Sequence, residues 1–206
     1  MSWAIVMGSC PLSQIRTSSL AAALVAAFAV PSWAAEPAVP EGGTVAKDAT
    51  ALRTYAPTTN PGGTAFDVAD RAAIENLIHA YAFAYDNGEA DAWFSLFTPD
   101  VVFVAGEPGS EPVAFSGDGF TKFWRDRMKT FGSSGDQRRH LMSNILFLEQ
   151  TVDTAHVSVG GLLTNVKDGK DFSAVSSLNY EGWLVKGPDG WKIQRWHDFP
   201  DAAFGE

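Results

Sequence analysis

Two residues stand out as able to move a proton between them. Asp86 lies in Tyr85-Asp86-Asn87-Gly88, at the end of an apolar-striped segment. A helix C-terminus carries negative partial charge, so a carboxylate there is unfavourable unless donors hold it. It lies about 100° beyond Tyr85 on a helical wheel and can point into a packed seam rather than into water. A solvated, helix-terminal Asp is the alternative. His140 lies in Arg138-Arg139-His140-Leu141-Met142-Ser143-Asn144. Strict alternation puts His140, Met142, Asn144 and Leu146 on one strand face, and Leu141, Ile145 and Phe147 on the other. An Asn beside a His argues for a partly polar cavity wall, and imidazole is the side chain best suited to proton transfer near neutral pH. A structural histidine is the alternative.

Candidate substrate-binding residues surround this pair. Tyr81 and Tyr85 sit on the apolar stripe, where they fit either core or pocket; buried hydroxyls would need partners. His197, in Trp196-His197-Asp198, shares a strand face with Arg195. Asn179 shares a face with Ser177, and parity leaves open whether that face is cavity or solvent. Trp93 and Asn144 complete the set. His79 and His156 read as surface residues.

The elements that must position these groups follow from periodicity. Ile74, Leu77, Ile78, Tyr81 and Tyr85 recur as one helical stripe, with Asp67 or Asp70 as N-cap and Gly88 as terminus. A second short helix carries Trp93, Phe94 and Phe97 and stops at the turn signal Thr98-Pro99-Asp100. Val101–Val104 and Pro112–Phe115 form a hairpin, and 118–130 a third helix with Phe120, Phe123 and Trp124 inward. Strands are expected over 138–149, 154–166, 172–186 and 191–198, joined by hairpin turns. Helices gathered on one face of an antiparallel sheet give an α+β fold. A long sheet twists and curls, which leaves room for a pocket.

Bulk properties narrow the partners. The chain has 206 residues, 46% hydrophobic and 12% aromatic, with a formal net charge of −9. That charge argues against nucleic acid or a polybasic membrane anchor as partner. Arg16 is the only charged residue before Glu36. The apolar run Leu20–Val30 is too short to span a bilayer, which takes roughly 20 residues. It is followed by small residues at Ser32 and Ala34, a cleavage-site pattern. Residues 1–34 are therefore expected to be a signal peptide, with the protein periplasmic or secreted and free of the membrane after cleavage. An uncleaved anchor or a later start at Met7 is the alternative. Residues 35–65, rich in Pro and Gly, are expected to be a flexible linker or an arm on the domain, and 66–206 the domain itself. Cys10, the only cysteine, precedes the apolar run. The mature chain would then have no thiol chemistry. No GxGxxG, GxxxxGK[ST], HExxH or GxSxG pattern occurs, so neither a cofactor nor a metal is expected.

Tyr85-Asp86, Asp91-Ala92-Trp93, Arg139-His140 with Asn144, and Asp189-Gly190-Trp191-Lys192-Ile193 together resemble the SnoaL-like branch of the NTF2-like superfamily, over roughly residues 66–200. The resemblance implies a cone: three helices packed in a strongly curved antiparallel or mixed sheet with an internal pocket. The members most similar are scytalone dehydratase and lindane dehydrochlorinase. They imply an Asp–His dyad at Asp86 and His140 that works without a cofactor, with a tyrosine at Tyr85. The second pocket histidine of scytalone dehydratase has no counterpart, since Gly160-Gly161-Leu162-Leu163 occupies that region. The function implied is an exported lyase or isomerase acting on a small hydrophobic or aromatic molecule. A non-catalytic binding module and a structural subunit of a larger complex are the other readings. A homodimer or homotrimer is also implied, because the open sheet face must be covered.

Overall fold

In the computed structural model the residues described are 41–45 and 67–204, all within one compact unit spanning Glu36–Glu206. The expected signal peptide and most of the 35–65 segment lie outside them.

Helix α1 spans Val68–Asp86. Asp67 caps it, its carboxylate accepting from the backbone N–H groups of Ala69 and Asp70. Asp70 takes a different role. It is buried, accepts from the Trp191 indole at 2.9 Å and pairs with Lys186 at 2.7 Å, tying the start of α1 to the sheet. Ile74, Ile78, Tyr81 and Tyr85 are buried along one stripe, with Leu77 at its edge. Gly88 adopts φ 71° just beyond the helix.

The second helix, α2, is shorter than expected, Ala90–Phe94. Phe97 begins a strand instead. Strand β2 runs Phe97–Ala105 and absorbs Thr98-Pro99-Asp100, where its pairing slips between Phe97 and Val102. Proline lacks the N–H a ladder needs, so it is tolerated at such an irregularity. The expected turn is thus a bulge inside a strand.

A short strand, β1 (Gly43–Val45), pairs antiparallel with β3 (Val113–Phe115), so part of the expected arm is an edge strand. Helix α3 spans Gly117–Ser134 and ends at Gly135 in the left-handed conformation. Four long strands follow: β4 (Asp136–Gln150), β5 (Thr154–Lys167), β6 (Asp171–Gly187) and β7 (Gly190–Pro200).

The seven strands form one sheet in the order β1-β3-β2-β7-β6-β5-β4. All pairings are antiparallel except β2 with β7, which is parallel, so the sheet is mixed. Bulges interrupt β4, β6 and β7, and each bends its strand and increases local twist. The curved, unclosed sheet holds the helices in its concavity. There Tyr81, Trp93, Phe97, Phe103, Phe120, Trp124, Tyr180 and Trp196 form an aromatic core, with neighbouring ring centroids 4.6–6.3 Å apart. Gly182 permits one close approach, since a Cβ there would lie 2.5 Å from the Trp196 ring.

Candidate functional site

The C-terminal turn of α1 and the start of β4 meet at Asp86 and His140. One Asp86 carboxylate oxygen lies 2.6 Å from His140 Nδ1, and the other accepts the backbone N–H of His140 at 2.7 Å. Their side chains are only 4% and 7% exposed. Two donors from β4 thus compensate the unfavourable helix-end position of Asp86. A carboxylate only accepts, so in the neutral ring this contact places the proton on Nδ1 and leaves Nε2 with its lone pair. The Tyr85 ring meets the imidazole edge-on at 5.6 Å.

His140 lines a cavity of about 670 Å³. Tyr81, Tyr85, Phe115, Trp124 and Leu163 supply apolar wall, and the loop from Ala105 to Glu111 forms one side. Asp86 stands behind His140, outside the cavity lining.

Asp198 on β7 also faces this space, beside Ala105 on β2 and opposite Tyr180 on β6. The residue is half-buried, yet its Oδ1 is sealed from solvent with no hydrogen-bond partner among the described residues. Burial pushes its carboxyl up to about 6, opposed by the charges of His140 and Arg127. The Tyr180 hydroxyl is likewise buried without a partner. Burial also raises Tyr81 and Tyr180 well above the ordinary tyrosine range. It raises Tyr85 to about 12, with Arg127 and Arg138 pulling the other way. These phenols stay neutral and can donate.

The sequence candidates divide. Tyr81, Tyr85 and His140 come together at the cavity; Trp93, Asn144, Asn179 and His197 do not line it. Trp93 is fully buried behind Tyr81 and Tyr85, a packing residue. Asn144 is exposed with φ 50°, on the bulge that shifts register between Ser143 and Leu146 and ends strict alternation. Asn179 faces outward, its carbonyl accepting from Ser158 at 3.4 Å. His197 also lies on the outer face, bonded to Arg195 at 2.6 Å and packed on Trp183. His79 is exposed, whereas His156 is half-buried against Glu181 and Trp183. Asp198, Arg127 and Arg138 were not singled out by type or spacing. For Asp198 the available signal was Trp196 two residues earlier, a large apolar residue that belongs inside and takes Asp198 with it.

No group of three or more His, Cys, Asp or Glu able to hold a metal occurs among the described residues.

Residues 67–197 match the SnoaL-like domain, and the chain belongs to that family, within the NTF2-like superfamily. Solved structures share the fold. One is an NTF2-like protein with a cystatin-like fold from Novosphingobium aromaticivorans, 19% identical with a TM-score of 0.54, covering 66% of this chain and 85% of that one. A second, described as the beta subunit of an aromatic-ring-hydroxylating dioxygenase of the same organism, is 14% identical with a TM-score of 0.55, covering 66% and 94%. ActVI-ORFA from Streptomyces coelicolor is 21% identical with a TM-score of 0.53, covering 64% and 97%. At these identities the likeness is one of fold. No curated protein matches the chain.

Proposed function

We propose that this protein is an exported, cofactor-independent lyase or isomerase that removes a proton from carbon in a small hydrophobic or aromatic molecule. The observation that carries the reading is the Asp86–His140 contact at 2.6 Å, with His140 on the wall of a cavity that also carries aromatic side chains. In this reading His140 Nε2 takes a proton from carbon beside a carbonyl or leaving group. Asp86 keeps the ring in the required tautomer and stabilises the imidazolium that forms, an interaction stronger in a dry site than in water. A positioned general base of this kind supplies about 10²–10⁴-fold.

Asp198 is the complementary group. A carboxyl raised to about 6 keeps a fraction of its protons near neutrality. It can give a proton to an oxygen that gains charge or leaves as water, with Tyr81 or Tyr85 also within the same cavity. One group then accepts while another donates, and neither needs a metal.

The test compares turnover of wild type and His140→Ala on a panel of dehydratase, dehydrohalogenase and isomerase substrates. The reading expects turnover in the wild type and a loss of about 10² or more in the variant. Equal rates would remove His140 from the reaction.

The fold shared with a dioxygenase beta subunit favours a second reading, a structural subunit. It predicts stable copurification with a different polypeptide, and nothing in it calls for a carboxylate–imidazole pair on a cavity wall.

A further inference from the structure

We infer that the ligand of this cavity carries a carboxylate, held by Arg127 of α3 and Arg138 of β4. The inference names the substrate class for the site proposed above and rests on that cavity being the ligand site.

Arg127 and Arg138 both line the cavity. Among the described residues, no carboxylate forms an ion pair with either. Asp136, the acid nearest to Arg138 in sequence, is engaged by Lys167, Asn165 and Ser134. Glu107 and Glu111 are exposed, on the loop that forms one side of the cavity. The Arg138 Nε is buried with no acceptor. Buried donors of this kind cost free energy unless something satisfies them.

The two arginines also work against each other. Burial lowers the Arg138 guanidinium's hold on its proton, and the charge of Arg127 adds to this, while Tyr85, Asp136 and Asp86 pull the other way. An anion between them would relieve both effects. A guanidinium presents its N–H groups as a planar fork that matches a carboxylate.

Packing alone does not account for the arrangement. Both guanidiniums lie against the Phe131 ring, Arg138 at 3.7 Å and Arg127 at 5.1 Å from its centroid, and Phe204 lies about 6 Å from each. Ring faces steady the planes and attract the charge, but they leave the buried Arg138 Nε–H without an acceptor. Tyr85 lines the same cavity, and both arginine charges influence its hydroxyl. His140 and Asp198 lie on other parts of the same lining. A ligand with its acid group on the arginines would set its apolar body against Trp124 and Phe115, with reacting atoms toward His140.

A carboxylate suits the site better than a phosphate ester. Asp198, Glu107 and Glu111 also line the cavity, so a second negative charge on the ligand would be disfavoured.

The experiment measures quenching of tryptophan fluorescence by three probes on the full protein: cinnamate, its neutral amide cinnamamide, and phenyl phosphate. The wild type is expected to bind cinnamate about tenfold or more tightly than cinnamamide, and more tightly than phenyl phosphate. Arg127→Gln with Arg138→Gln is expected to abolish the preference, while the single Arg138→Gln variant, which disturbs folding less, reduces it. His140→Ala is expected to keep the preference, which separates this inference from the catalytic reading. Equal binding of acid and amide by the wild type would overturn it. So would a preference that survives the double substitution, tighter binding of phenyl phosphate, or no binding of any probe.

Discussion

Asp86 sits where a helix least tolerates a negative charge, and two donors from one residue of a distant strand hold it there. Asp86→Asn keeps the shape and removes the charge. It is expected to lower turnover by about 10² or more with little change in fold, read by steady-state kinetics alongside circular dichroism. Asp198 makes a different prediction. Its carboxyl titrates near 6 when folded and near 3.8 when unfolded. Between those values the folded state binds more protons than the unfolded one, so this group's contribution to stability falls as pH rises from about 4 to 6 and stays lost above. Asp198→Asn should therefore be more stable than wild type at pH 8, by on the order of 2–3 kcal/mol, with the gap closing toward pH 3. Urea unfolding at the two pH values measures this; a gap that widens in acid would contradict it. Asp86 and His140 were legible because of residue type, an awkward helix-end position and a family resemblance. Asp198 was hidden by geometry: alternation counted from Trp191 and Ile193 puts Arg195 and His197 inside. Pairing skips Gln194 opposite the Trp183–Leu184 step, which turns Trp196 and Asp198 inward instead.

Bulges decide which side chains reach the cavity at the scale of elements. The order of helices and long strands was readable because apolar periodicity and turn residues mark each one, and the expected strand limits differ from the observed ones by only a few residues. Irregularities inside strands leave no such mark. Thr98-Pro99-Asp100 reads as a turn yet lies within β2, and Asn144 reads as cavity lining yet sits exposed at φ 50°. The parallel β2–β7 pairing was also unreadable, since it joins segments far apart in sequence. The close pass of β6 over the core gives a prediction at this scale. Gly182→Ala would force a Cβ against Trp196 and should cost about 1–3 kcal/mol, seen as a lower urea midpoint with unchanged slope. Unchanged stability would show that Trp196 is free to move.

Oligomeric state belongs to the molecule as a whole. The sheet is open, and on β4 and β5 the cross-strand partners Leu141 and Leu162 are exposed at 51% and 39%. The homodimer or homotrimer expected from the family resemblance predicts a sedimentation mass of two or three chains, and a single-chain mass at micromolar concentration would contradict it. The proposal of export predicts that protein recovered from the periplasm begins near Ala35, read by mass spectrometry of the intact chain. Everything in the proposed chemistry depends on His140, oriented by Asp86, taking a proton from carbon. Deuterium uptake from heavy water at an acidic carbon of a bound aromatic ketone tests it without requiring the natural substrate. The account predicts exchange catalysed by the wild type, slowed about 10²-fold or more in both His140→Ala and Asp86→Asn. Exchange at equal rates in all three proteins would contradict it.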